Sequence, residues 1–73
     1  MKTHLQGIGE REAIKAVDLR PGMVTIWNYG CIEIIKDITV TKSGKSIKCT
    51  VISEYGKEFT RTMRINRLVV VEN

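Results

Sequence analysis

Seventy-three residues carrying a net charge of +4 leave room for one domain and one core. No stretch approaches the roughly 20 apolar residues that cross a bilayer, and residues 1–7 lack the apolar middle of a signal peptide, which argues against a membrane helix and points to the cytoplasm. In so short a chain nearly every inward side chain is needed to exclude water, so a binding module is favoured over an enzyme with a deep cleft.

Residues 1–9 are polar and punctuated by glycine, with no apolar period, and read as a flexible tail ahead of a single domain over 10–73. Glu10 to Val17 fits a short helical turn, because two acids would sit at its N-terminus, and fits a short strand nearly as well. Pro21-Gly22 is a turn signal that ends any helix and starts the next segment extended.

From Met23 the pattern is β. A strand over 23–27 closes at Asn28-Tyr29-Gly30. A second, over 31–41, sets Ile32, Ile34, Ile38 and Val40 on one face and Glu33 and Asp37 on the other, with a bulge or bend expected at Ile35-Lys36-Asp37. A turn at Ser43-Gly44 then pairs Val40 with Ile47 and Ile38 with Cys49. A three-residue loop, Glu54-Tyr55-Gly56 with Gly56 left-handed, pairs Val51 with Phe59 and Ile47 with Met63, so that both hairpins bury one common face. Residues 64–67 are short enough for only a tight helical turn, and the unbroken apolar run Leu68 to Val71 predicts a last strand buried on both sides or paired across a barrel seam.

Strands near 23–27, 31–41, 46–53, 58–63 and 68–71 predict a mostly β fold, a small five-stranded antiparallel SH3-like barrel preceded by a short helical turn or strand. Cys31 and Cys49 read as reduced core residues, with a disulfide between them as the alternative.

Catalysis needs a nucleophile or metal with a base and an orienting group in reach. His4 is the one neutral-pH base and falls in the expected tail, where it reads as solvated; two cysteines and one distant histidine do not make a zinc site. Lys42-Ser43-Gly44-Lys45-Ser46 has the composition of a phosphate loop without its spacing. The chain is therefore expected to be no enzyme and to hold no metal or cofactor.

A binding surface is easier to assemble. Residues 1–37 are electrically balanced, so the whole positive excess lies in 38–73. Lys42, Lys45 and Lys48 surround one turn, and Arg61, Arg64 and Arg67 recur at every third position. Cations of this kind grip phosphates, and Trp27, Tyr29 and Tyr55 offer faces for stacking bases. Against this, Trp27 suits a core or rim position, and the hairpin register points Arg61 inward, its stem covering apolar surface.

Residues 16–24, Ala-Val-Asp-Leu-Arg-Pro-Gly-Met-Val, together with the Lys-Ser-Gly-Lys and Tyr-Gly-Lys hairpins, resemble the N-terminal domain of bacterial elongation factor P, a barrel of the translation-protein kind. The resemblance spans 16–71 and implies the barrel and not the activity, since no ligand-binding residue matches. A similar Leu-x-Pro-Gly start occurs in self-splicing Hint proteins, whose nucleophile and histidine block are missing here. Trp27-Asn28-Tyr29-Gly30, Gly56 to Arg61 and Arg64 to Leu68 also look like small uncharacterised phage or prophage proteins of Gram-positive bacteria. The leading expectation is RNA or DNA binding through the basic face. The alternative is a protein-interaction module, such as a phage accessory factor docking on a host or phage protein.

Overall fold

A computed structural model describes residues 1–72; Asn73, the last residue assigned to the domain, lies outside the described residues. The strands are β1 (Lys2–Leu5), β2 (Gly9–Lys15), β3 (Val24–Ile26), β4 (Ile32–Val40), β5 (Ser46–Ser53), β6 (Glu58–Arg64) and β7 (Leu68–Glu72). Two 3-10 turns, Ala16–Asp18 and Asn28–Gly30, complete the fold. All seven strands join one antiparallel sheet in the order β1-β2-β7-β3-β4-β5-β6.

The expected five-stranded barrel is thus replaced by an open seven-stranded sheet. Its five expected strands are present. The two additional ones come from the N-terminus, where residues 1–9, read as a tail, supply β1 and the first residue of β2. β2 pairs with the flank of β7 that a barrel seam would use, so β7 is an interior strand between β2 and β3, and β6 is left as an edge. The sheet nevertheless curls. The Ala16 N–H donates to the Arg67 carbonyl at 2.8 Å and the Val17 N–H to the Ile65 carbonyl at 3.0 Å, tying the turn after β2 to the turn after β6.

Inside the curl lies one cluster of Ala16, Leu19, Ile35, Ile47, Cys49, Val51, Met63 and Val69. A smaller one, Leu5, Ala13 and Val70, lies under the β1–β2 hairpin. Val69 and Val70 are therefore buried on opposite faces of β7, which explains its unbroken apolar run.

Local chemistry sets the turns. Arg20-Pro21-Gly22-Met23 is closed by Met23 N–H to Arg20 carbonyl at 3.2 Å, with Gly22 at φ +93, the arrangement that proline followed by glycine favours. The β5–β6 loop is Glu54-Tyr55-Gly56, with Gly56 at φ +83, and it sets Val51 opposite Phe59 and Ile47 opposite Met63. Across the other hairpin Val40 faces Ile47 and Ile38 faces Cys49. These are the registers the sequence predicts. The segment 64–67 is a single turn, closed by Arg67 N–H to Arg64 carbonyl at 3.1 Å.

In β4 the register slips between Ile35 and Asp37, which makes Lys36 the bulged residue. An extra residue reverses the alternation of side chains beyond it. Glu33 and Ile35 before the bulge and Ile38 after it share the inner face, whereas Ile34 is exposed and Ile32 only half-buried. The expected face of Ile32, Ile34, Ile38 and Val40 is corrected accordingly, as is the outward placement of Glu33, which is only 5% exposed. Of the cysteines, both free, Cys49 is buried and Cys31, expected in the core, is exposed. Among the described residues no helix is long and apolar enough to cross a membrane.

The bulge gives a direct test. Deleting Lys36 forces one half of β4 inside out, so the cooperative unfolding transition should disappear. Lys36→Ala loses only an exposed pair with Glu58 and should leave the unfolding transition cooperative, with its midpoint close to that of the parent. Urea titration followed by circular dichroism checks both.

Candidate nucleic-acid interface

Outward positions of β4, β5 and β6 form one side of the sheet, and strand register decides what lies beside what. Thr39, Lys48 and Thr62 make one cross-strand row, Asp37, Thr50 and Thr60 the next, and Ser46 lies opposite Arg64. Lys42 and Lys45 sit at the tip of the β4–β5 hairpin, where the Ile65 N–H donates to the Lys45 carbonyl at 3.2 Å and so keeps Arg64 at the same end. Hydroxyls hold that tip: Thr41 Oγ1 donates to the Ser46 carbonyl at 3.1 Å, and the Lys45 N–H to Ser43 Oγ at 3.3 Å. Lys42, Lys45, Lys48 and Arg64 are all exposed, and among the described residues none has a carboxylate within salt-bridge distance.

Arg61 is not part of this face. Its Nε and terminal nitrogen donate to the two carboxylate oxygens of Glu33 at 2.6 and 2.7 Å, a bidentate pair on the inner side of the sheet. These bonds hold the guanidinium pKa above its ordinary value, against the desolvation that lowers it. Trp27 covers the pair, with the Arg61 guanidinium carbon 4.3 Å from its ring centroid and that of Arg67 at 5.3 Å. The indole N–H donates to Thr25 Oγ1 at 2.9 Å, and the same hydroxyl donates to the Glu33 carbonyl at 3.2 Å. Among the described residues no buried side-chain nitrogen or oxygen, in this network or elsewhere, is left without a partner.

The aromatic residues expected to stack bases are therefore dispersed. Trp27 is half-buried in that network. Tyr29 is 73% exposed, yet its ring covers Gly7, where an added Cβ would lie 2.7 Å from Tyr29 Cδ1; its N–H donates to the Gln6 carbonyl at 2.6 Å, and Gln6 N–H donates to Asn28 Oδ1 at 3.0 Å. Tyr29 thus fastens the β1–β2 turn, and it does so at φ +63, a strained value for a tyrosine. Tyr55, 89% exposed, tips the β5–β6 hairpin at the far end of the eight-residue β5, about 25 Å from the Lys42 and Lys45 tip. Arg67 borders a cavity of about 440 Å³ together with Trp27, Asn28, Leu68 and His4, the last carried by β1.

Of the nine residues expected to form one surface, Lys42, Lys45, Lys48 and Arg64 are brought together; Arg67 is linked to them through its turn with Arg64; Arg61, Trp27, Tyr29 and Tyr55 lie elsewhere. The sequence reading missed Thr39, Ser46 and Thr62, whose signal is the period-two recurrence of hydroxyl residues beside the lysines. It missed Glu33 for want of the parity change at the bulge. Among the described residues no group of three or more metal-ligating side chains clusters.

The fold and this face define a small, open, antiparallel β protein with one cationic, hydroxyl-bearing side. No protein-family model, curated protein or solved structure matches the chain.

The ion pair sets an expectation. Arg61→Met leaves the Glu33 carboxylate buried without a partner and should cost about 3 kcal/mol, whereas Glu33→Met with Arg61→Met should recover most of that loss. Urea midpoints of the two variants decide it.

Proposed function

We propose that the chain is a cytoplasmic binding module without chemistry of its own, holding RNA or DNA by its phosphates on the outer side of β4, β5 and β6. One observation carries the reading: Lys42, Lys45, Lys48 and Arg64 converge, free of carboxylate partners among the described residues, beside the hydroxyls of Thr39, Ser46 and Thr62. Lysine and arginine neutralise phosphates and hydroxyls donate to their oxygens, contacts that position a strand without reading its bases. No aromatic side chain lies in the cross-strand rows of that side, so binding is insensitive to sequence. The order β7-β3-β4-β5-β6 is the part we read as SH3-like, its barrel left open and the β1–β2 hairpin laid along β7.

Lys48→Ala with Arg64→Ala should weaken binding to single-stranded and duplex oligonucleotides alike, and should lower the slope of log affinity against log salt by about 2. Trp27→Phe should leave both unchanged. Fluorescence anisotropy across a salt series reads these outcomes, and absence of binding at low salt refutes the proposal.

A further inference from the structure

β6 is a seven-residue edge strand that, among the described residues, pairs with no strand on its outer flank; the turn Ala16–Asp18 meets it only near its C-terminal end, where the Val17 N–H donates to the Ile65 carbonyl at 3.0 Å. In a regular antiparallel ladder alternate residues bond to the paired strand, and those between them direct N–H and carbonyl away from it. The β5–β6 register is unbroken, the Ser53 N–H donates to the Lys57 carbonyl at 2.8 Å, and the Ile65 N–H donates to the Lys45 carbonyl at 3.2 Å. Odd-numbered residues of β6 therefore bond to β5, and the main-chain groups of Glu58, Thr60 and Thr62 face outward. β6 contains no proline and no bulge, the devices that usually blunt such an edge.

We infer that this edge pairs with the β6 edge of a second copy, antiparallel, about a two-fold axis at Arg61. The sequence Glu58-Phe59-Thr60-Arg61-Thr62-Met63-Arg64 complements itself in that register. On the outer side Glu58 falls opposite Arg64 of the copy and Thr60 opposite Thr62; on the inner side Phe59 falls opposite Met63. Opposite charges, hydroxyls and apolar groups each meet their match, and such cross-strand pairs are what stabilise a sheet. Thr60 and Thr62 exchange main-chain hydrogen bonds with their counterparts, while the Arg64 carbonyl, already accepting from Arg67, contributes none. A register centred on Thr60 instead sets Phe59 against Arg61 and leaves Glu58 opposite a threonine. The one like-charge meeting in the chosen register is Arg61 with its own copy, and each guanidinium is already neutralised by Glu33. An inward charge in the middle of an edge strand ordinarily deters pairing. Here the Glu33 carboxylate removes that deterrent. β1, the opposite edge, is four residues long and offers no such self-complementary text.

Sedimentation equilibrium on nucleic-acid-free protein should show reversible dimers at concentrations on the order of 0.1–1 mM, fitting a small interface. Thr60→Pro removes an outward N–H that the fold does not use, and should leave a folded monomer. Glu58→Arg should weaken dimerisation about tenfold through two like-charge meetings, and Glu58→Arg with Arg64→Glu should restore it. A monomer at every concentration, its edge left to some other strand, overturns the inference. So does a dimer untouched by Thr60→Pro, or a charge exchange that fails to restore a dimer lost in the single variant. Circular dichroism confirms folding of each variant, and the measurement is independent of oligonucleotide binding.

Discussion

One extra residue, Lys36, governs which side of this sheet is dry. Without it, β4 could present either Glu33 and Ile35 or Ile38 to the interior, but not all three, because the side chains of a strand alternate without exception. With it, the two halves of the longest strand both contribute inward, and the hairpins that follow inherit the orientation. The outer rows of threonine, serine, lysine and arginine, with Asp37 among them, are the complement of that choice. Core and surface are thus two readings of the same slip in register.

The slip also brings a carboxylate indoors, and the fold must answer for it. Removing Glu33 from water is costly unless its charge is met by one of opposite sign in good geometry. Arg61 supplies the fork, Trp27 shields it, and Thr25 links the indole to the backbone of Glu33. This arrangement draws one arginine out of the apparent basic cluster. Net charge overstates what a polyanion can meet, because a cation held by a buried acid offers little field outside the protein.

Much of the sheet was legible in the sequence where turn chemistry and alternation speak together. The left-handed glycine of Glu54-Tyr55-Gly56 and the matched apolar sets on either side select one register, and the bulge at Ile35-Lys36-Asp37 follows from a strand too long to stay straight. Alternation counted straight through that strand misplaces Glu33 and Ile34, because its parity changes at the bulge. β1 was illegible for a different reason, and β2 was legible only as one of two alternatives, a short strand or a helical turn over Glu10 to Val17. Lys2-Thr3-His4-Leu5 and Gly9 to Lys15 hold few apolar side chains, and their strand form is imposed by pairing with β7 and by the hold of Tyr29 on Gly7, neither of which leaves a periodic trace. The same hairpin explains why the sheet stays open. Of the surface, the lysines of the hairpin tip could be read directly, whereas the separation of Trp27, Tyr29 and Tyr55 depends on three-dimensional distances that spacing along the chain does not encode.

The two thiols differ in a way that makes the chain its own reporter. Cys49 lies at the centre of the curl with no surface exposed, and burial pushes its pKa up, so the reactive thiolate is doubly withheld. Cys31, at the margin of β4, meets solvent. An alkylating reagent would consume the second at once and the first only during moments when β5 separates from its flanking strands, which turns an ordinary pair of cysteines into a clock for the breathing of the sheet.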